Sequence, residues 1–309
     1  MNTRFLAWCL STPWAMQPEA MHAFAMILAR RYGTVRAGDH RDDTQYDDAG
    51  NPMPKAQAAA ARVGSPRSGA VAVIPVRGAI VQHASSLGPC EGGTSTQSIS
   101  QTLRQANADE SISSIVLDID SPGGSVYGVS ELAAEIRASA KPVTAVANSL
   151  AASAAYWLGT AASEFFVTPG GEVGSIGVWM AHEDWSKAME EAGVNVTLIS
   201  AGKYKTEGHP YGPLDAEAKG FLQSRTDDYY GAFTRDVAKG RGVAIDAVRG
   251  GMGQGRVLGA SQAKAENMVD GVMTFDQVVR HSMAKGKPAA GRSALAASQR
   301  RVQIAQLEG

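Results

Sequence analysis

The stretch "KPVTAVANSLAASAAYWLGTAAS", residues 141–163, opens as a β-branched run and closes as an alanine-rich one. "KPVTAVANS" reads as a buried strand, and the residues after Ser153 as a helix apolar nearly all round, so a buried one. Ser153 stands near the start of that helix. Its plain role is an N-cap, accepting a bond from a backbone N–H of the first turn. Its sharper role is a nucleophile at the helix mouth. A second stretch has the same design: "SISSIVLDIDSPGG" (111–124) reads as a strand running into a Gly123-Gly124 turn. "SVYGVSELAAEIRASA" (125–140) then follows as a helix opening at Ser125.

Working outward, strands and helices alternate, which implies an α/β domain with a largely parallel sheet. "VAVIPVRGAI" (71–80) is a strand whose Pro75 marks an edge or a bulge. "TQSISQTLRQANAD" (96–109) has helical spacing through Ile99, Leu103 and Ala106. "EFFVTPGGEVGSIGVWMA" (164–181) reads as strand, glycine-rich turn and strand. A helix at 184–192 is followed by "GVNVTLISAGKYKTEGHP" (193–210), a further strand entering a loop. A long helix over 215–239 and shorter ones near 244–249, 259–266 and 275–284 complete this part.

The flanks differ in texture. Residues 1–33 form an N-terminal extension whose "PEAMHAFAMILARRYG" reads as an amphipathic helix starting at Pro18. Residues 34–69 are an acidic, then alanine-rich linker, too polar to bury a core. Residues 70–286 form the ordered domain, and 287–309 a basic disordered tail.

The 309 residues are 44% hydrophobic and 19% charged, with a net charge of −1. That balance does not favour nucleic acid or an anionic membrane surface. No run reaches a membrane span, and the N-terminal apolar run is too interrupted for a signal peptide. The expectation is a soluble cytoplasmic protein. Cys9 and Cys90 form no metal or disulfide pattern, and no metal or organic cofactor is implied.

Turns at the carboxyl ends of neighbouring parallel strands meet in one crevice. Glycines there let a substrate approach the backbone, and the N–H groups of Gly124 and Ala154 can converge on one oxygen as an oxyanion hole. The stretch lacks the spacing of a phosphate loop. A serine needs a base to attack a carbonyl. Among six histidines only His182, in "WMAHED", is well placed after a strand. A lysine also serves if burial draws its pKa towards neutrality, and spacing leaves Lys203 and Lys205 equally open.

The order "SPGG", "AAS", "GSIG", "GKYK" over residues 71–285 resembles the signal peptide peptidase family of serine peptidases. Within it, the chain is similar to the shorter phage and prophage capsid-maturation (prohead) proteases. The resemblance implies the Clp protease/crotonase-like fold of repeated β-β-α units and a Ser/Lys dyad. Carried over, the nucleophile falls on Ser153, the general base on Lys205 and the serine orienting it on Ser175. The oxyanion donors fall on Gly124 and Ala154, with Gly123 lining the substrate. Relatives commonly have Gly-Gly after the nucleophile, where this chain has Ala154-Ala155.

The implied partners are a peptide or protein substrate (a scaffold or the chain's own termini), further copies of the chain, and phage head proteins. The implied location is the host cytoplasm or the prohead interior. Small residues around Ser153 imply cleavage near alanine, and the tail "KPAAGRSALAASQRR" (287–301) offers such a site. Three competing readings remain: a Ser/His/Asp peptidase using His182, a crotonase-like acyl-CoA enzyme needing a catalytic glutamate, and an inactive capsid-scaffold module.

Overall fold

The runs "ISSIVLDIDS" and "VTAVANSLAA" lie side by side at the centre of a sheet, as the apolar stretches within them favour. A computed structural model of the chain describes residues 12–18, 21, 70–83 and 93–285. The first elements are β1 (Trp14–Met16), β2 (Ala70–Arg77), β3 (Ala79–Val81), β4 (Gly93–Ser95) and α1 (Thr96–Ala108). Next come β5 (Ile112–Ser121), β6 (Gly123–Ser125), α2 (Val129–Arg137), β7 (Val143–Ala152), α3 (Ala154–Thr160), β8 (Glu164–Val167) and β9 (Glu172–Gly174). Then follow α4 (Ser186–Glu191), α5 (Ala216–Arg241), α6 (Ile245–Gly250), β10 (Val257–Gly259), α7 (Ala260–Ala265), β11 (Gly271–Val272) and α8 (Phe275–Lys285).

The larger sheet runs β10-β9-β7-β5-β2, with β8 also on β7 and β11 on β8. All its pairings are parallel except β10 with β9. Pro75 lies on β2, an edge strand, where its missing N–H costs no ladder bond on the open side. Alternate residues of β5 and β7 face opposite layers. Ile115, Leu117, Ile119, Ala145 and Ala147 join the main core with Leu103, Leu132, Trp157 and Phe233. Val116 and Val146 pack with Phe166 and Val278 under α8. With both faces covered, the architecture is α/β, as expected.

Several readings are corrected. The Gly123-Gly124 pair is not a tight turn: it forms β6, in a second sheet of order β1-β6-β3-β4. The following helix opens at Val129, not at Ser125, because Gly128 supplies a left-handed cap at φ 78°. Residues 193–200 form no strand. They run exposed and without a sheet partner among the described residues, with Ile199 95% exposed. Pro18 and Met21 are helical, but the rest of the expected N-terminal helix, the linker up to residue 69, Cys9, Cys90 and the tail lie outside the described residues. No helix among the described residues is long and apolar enough to cross a membrane.

The buried helix α3 is fastened by its own side chains. Trp157 stacks on Phe233 of α5 at 4.7 Å between centroids, and its Nε1 donates to Asp236 at 2.7 Å. Asp236 also accepts from Arg137 at 2.7 Å. The two helices approach so closely that a Cβ on Gly240 would lie 1.9 Å from the Thr160 carbonyl oxygen. Beyond α3, Asp270 accepts two bonds from Arg241 at 3.0 Å and one from the Phe165 N–H at 2.7 Å. Burial raises the pKa of this carboxyl, but those bonds outweigh it and leave it below the usual value.

Gly240→Ala is therefore expected to lose about 1–3 kcal/mol despite alanine's better helix propensity, read as a lower denaturant midpoint. A depressed carboxyl contributes stability that is full above its ordinary pKa of about 4 and is lost as pH falls through the lower folded value. Asp270→Asn should thus narrow the gap to wild type on acidification below about pH 4, measured by thermal melts.

Candidate active site

Ser153 sits at the junction of β7 and α3, where the chain must turn from extended to helical within one residue. The strand runs three residues further than "KPVTAVANS" suggested, to Ala152, so the whole change falls on Ser153. Its backbone takes φ 56°, ψ −118°, a conformation that a residue with a Cβ adopts only under constraint. The constraint is visible: the Ser153 N–H donates to the Gly174 carbonyl at 2.7 Å, and its carbonyl accepts from Trp157 at 2.9 Å. Its hydroxyl makes no cap bond, so the N-cap role is not taken. That leaves Oγ available for chemistry.

The other expected residues gather around it. Ala154 is the first residue of α3, and its N–H has no intrahelical acceptor. Ser175 follows Gly174, the residue that anchors Ser153, and itself takes φ 55° while its N–H donates to Arg256 O at 2.8 Å. Gly123 (φ 98°) touches the nucleophile: a Cβ there would lie 2.9 Å from both Ser153 Cβ and the Ala152 oxygen. A Cβ on Gly124 would lie 1.8 Å from the Ile80 oxygen. Both glycines are thus needed to bring β6 this close.

Sequence reasoning missed Ser121, whose hydroxyl donates to Gly78 O at 2.6 Å and accepts from the Gly123 N–H at 3.1 Å. It pins the bend that delivers β6; its place just before "PGG" was the available signal. It also missed Trp14–Met16, which pair with β6. The triplet, set between Pro13 and Pro18, carried that signal.

The lysine expected as base lies on the surface, whereas Ser153 is buried. Lys205 lies exposed on the segment after residue 200. Its neighbour Lys203 donates to Tyr204 Oη at 2.7 Å and to Glu217 at 3.0 Å, bonds that hold its pKa above the usual lysine value. A lysine so stabilised in its charged form is a poor base. His182 is half-buried, and its Nε2 lies 3.1 Å from the His209 carbonyl oxygen.

Residues 135–288 match the family model "Peptidase family S49", and residues 86–173 match that of Clp protease. The chain belongs to peptidase family S49. It is 33% identical over 255 residues to the head-tail preconnector protein GP5 of Enterobacteria phage P21, covering 80% of this chain and 51% of that one. It is 39% identical over 181 residues to the capsid assembly protease C of Escherichia phage lambda, covering 58% and 41%. Protease 4 of Salmonella typhi matches at 30% over 214 residues, covering 68% and 34%. The chain thus spans about half or less of the length of these relatives. Among solved structures, a ClpP1 mutant from Listeria monocytogenes aligns with a TM-score of 0.44 at 15% identity, over 67% of this chain and 94% of that one. The S49 match covers Ser153, Ser175 and Lys205, and the Clp match ends just before Gly174.

Gly124→Ala is expected to force β6 away from β3 and so from Ser153, because its Cβ has no room beside Ile80. A serine-directed phosphonate should label Ser153 in the wild type, with labelling in Gly124→Ala reduced by roughly 10²-fold, the scale of one lost oxyanion donor.

Proposed function

We propose that the chain is a serine endopeptidase using a Ser153/Lys205 dyad, and that it processes phage head proteins, a scaffold foremost, during capsid assembly. The observation that carries the reading is the constrained backbone of Ser153, with its hydroxyl free of capping and two glycines holding β6 against it. Membership of family S49 and likeness to a protein named as a capsid assembly protease support the reaction and the substrate class. It works in the host cytoplasm or inside the prohead.

In this mechanism Lys205 takes the proton of Ser153 as Oγ attacks the peptide carbonyl. The N–H groups of Gly124 and Ala154 hold the oxyanion. The lysine then protonates the leaving amine, and water releases the acyl-enzyme. Ser175, beside the Gly174 anchor, keeps the amine aimed. A lysine acts as a base only when shielded from water. Lys205 is exposed in the single chain, as are Val194, Val196, Leu198 and Ile199 before it. An extended apolar segment without a sheet partner supports a site completed by a neighbouring copy, which covers the segment and brings the lysine to the nucleophile.

Ser153→Ala is expected to abolish cleavage of a co-expressed scaffold and Lys205→Ala to nearly abolish it, read by mass spectrometry of the products. Mixing the two inactive variants should restore part of the activity, since some subunit junctions then hold one intact serine and one intact lysine. An active Lys205→Ala protein overturns the dyad, and mixtures that stay inactive overturn its assembly between copies.

A further inference from the structure

Ser153 is only 1% exposed, and Gly123, Gly124 and Ser125 are buried with it. A nucleophile that must receive a peptide is therefore covered, and the chain's own segment from Pro13 to Gln17 lies beside it on β6. Trp14, Ala15 and Met16 are 0%, 0% and 2% exposed.

The segment lies antiparallel to β6, with Trp14 opposite Ser125, Ala15 opposite Gly124 and Met16 opposite Gly123. The Val126 N–H donates to Pro13 O, and the Gln17 N–H to Pro122 O, each at 3.2 Å. In an antiparallel ladder, hydrogen-bonded and non-bonded pairs alternate. With the pairs at 13 and 17 bonded, the pair between them, Ala15 with Gly124, is bonded too. The Gly124 N–H, an expected oxyanion donor, thus points at the Ala15 carbonyl.

A second observation places the same oxygen against the nucleophile. The point where a Gly123 Cβ would stand lies 2.2 Å from Ala15 O and 2.9 Å from Ser153 Cβ. The segment's other edge is also paired: Trp14 and Trp179 exchange both backbone bonds at 3.0 Å, and Trp179 Nε1 donates to Met16 O at 2.8 Å. An extended peptide held on both edges, with one carbonyl over the serine, is held as a substrate is held.

We propose that Pro13–Gln17 is a built-in peptide ligand of the active site, seated in substrate register with the Ala15–Met16 bond at Ser153, and that it must leave before another peptide enters. The groove between β6 and Trp179 takes an extended peptide with a small residue over Ser153, because Ala15 is fully enclosed there. The statement that the groove serves catalysis rests on the peptidase reading; the docking of the segment does not.

The test uses the full chain with Ala15→Glu, whose carboxylate cannot be buried at a fully enclosed position. In the inactive Ser153→Ala background, hydrogen exchange should show residues 14–17, Gly124 and Val126 protected, and that protection lost on adding Ala15→Glu while α5 stays protected. With Ser153 intact, Ala15→Glu should hydrolyse a fluorogenic alanine peptide roughly tenfold faster than wild type, as for a site otherwise free in about one chain in ten. A synthetic peptide of residues 11–19 should reverse that gain. Wild-type chain cut between Ala15 and Met16, and uncut in Ser153→Ala, is a stronger form of the same result.

Free exchange at residues 14–17 in the Ser153→Ala chain overturns the docking. Equal hydrolysis by Ala15→Glu and wild type overturns the blocking. Hydrolysis by neither counts against the peptidase reading, and exchange still decides whether the segment is docked.

Discussion

One hydrogen bond, from the Ser153 N–H to the Gly174 carbonyl, ties the end of β7 to the end of β9. Ser153 has a side chain and yet holds a positive φ, which costs on the order of 1–3 kcal/mol unless the surroundings impose it. The parallel pairing of Leu150–Ala152 with Glu172–Gly174 imposes it, and α3 leaves immediately afterwards. This constraint turns the serine's hydroxyl out of the cap position and brings Ser175, one residue past Gly174, into the same neighbourhood. The rest of the domain supports that junction: Trp157 locks α3 onto α5, and Tyr156, whose hydroxyl donates to Met268 O at 2.9 Å, ties it to the chain after α7.

The larger sheet and its helices were legible because their residues obey simple periods. The strands "SIVLDI" and "VTAVA" bury apolar residues on both faces, and Ile99, Leu103 and Ala106 recur at helical spacing and are buried as expected. The strand-to-helix junction at Ser153 and Ala154 was legible as well, whereas Ser175 came only from the motif order. The second sheet was not legible. Gly123-Gly124 has the composition of a turn, and only contacts from residues distant in the chain, Ile80 and Ala15, make it a strand. Its partner "WAM" is too short to display a period at all.

The opposite error occurred at "VNVTLIS". Its alternation of apolar and polar residues is that of a half-buried strand, yet nothing among the described residues pairs with it. The pattern describes what the segment needs, and the fold of one copy does not supply it. The choice between Lys203 and Lys205 was likewise closed to spacing. Only the resemblance favoured Lys205; in the structure Glu217 engages Lys203 from α5.

Exposure of residues 194–199 together with Lys205 has a consequence for how the molecule behaves on dilution. Under the dyad proposed between copies, an isolated chain has no competent centre, so specific activity becomes a function of concentration. Hydrolysis would then be faint among scattered chains and would switch on where many copies are packed into a confined volume. Place and timing would be governed by crowding, with no separate activator required.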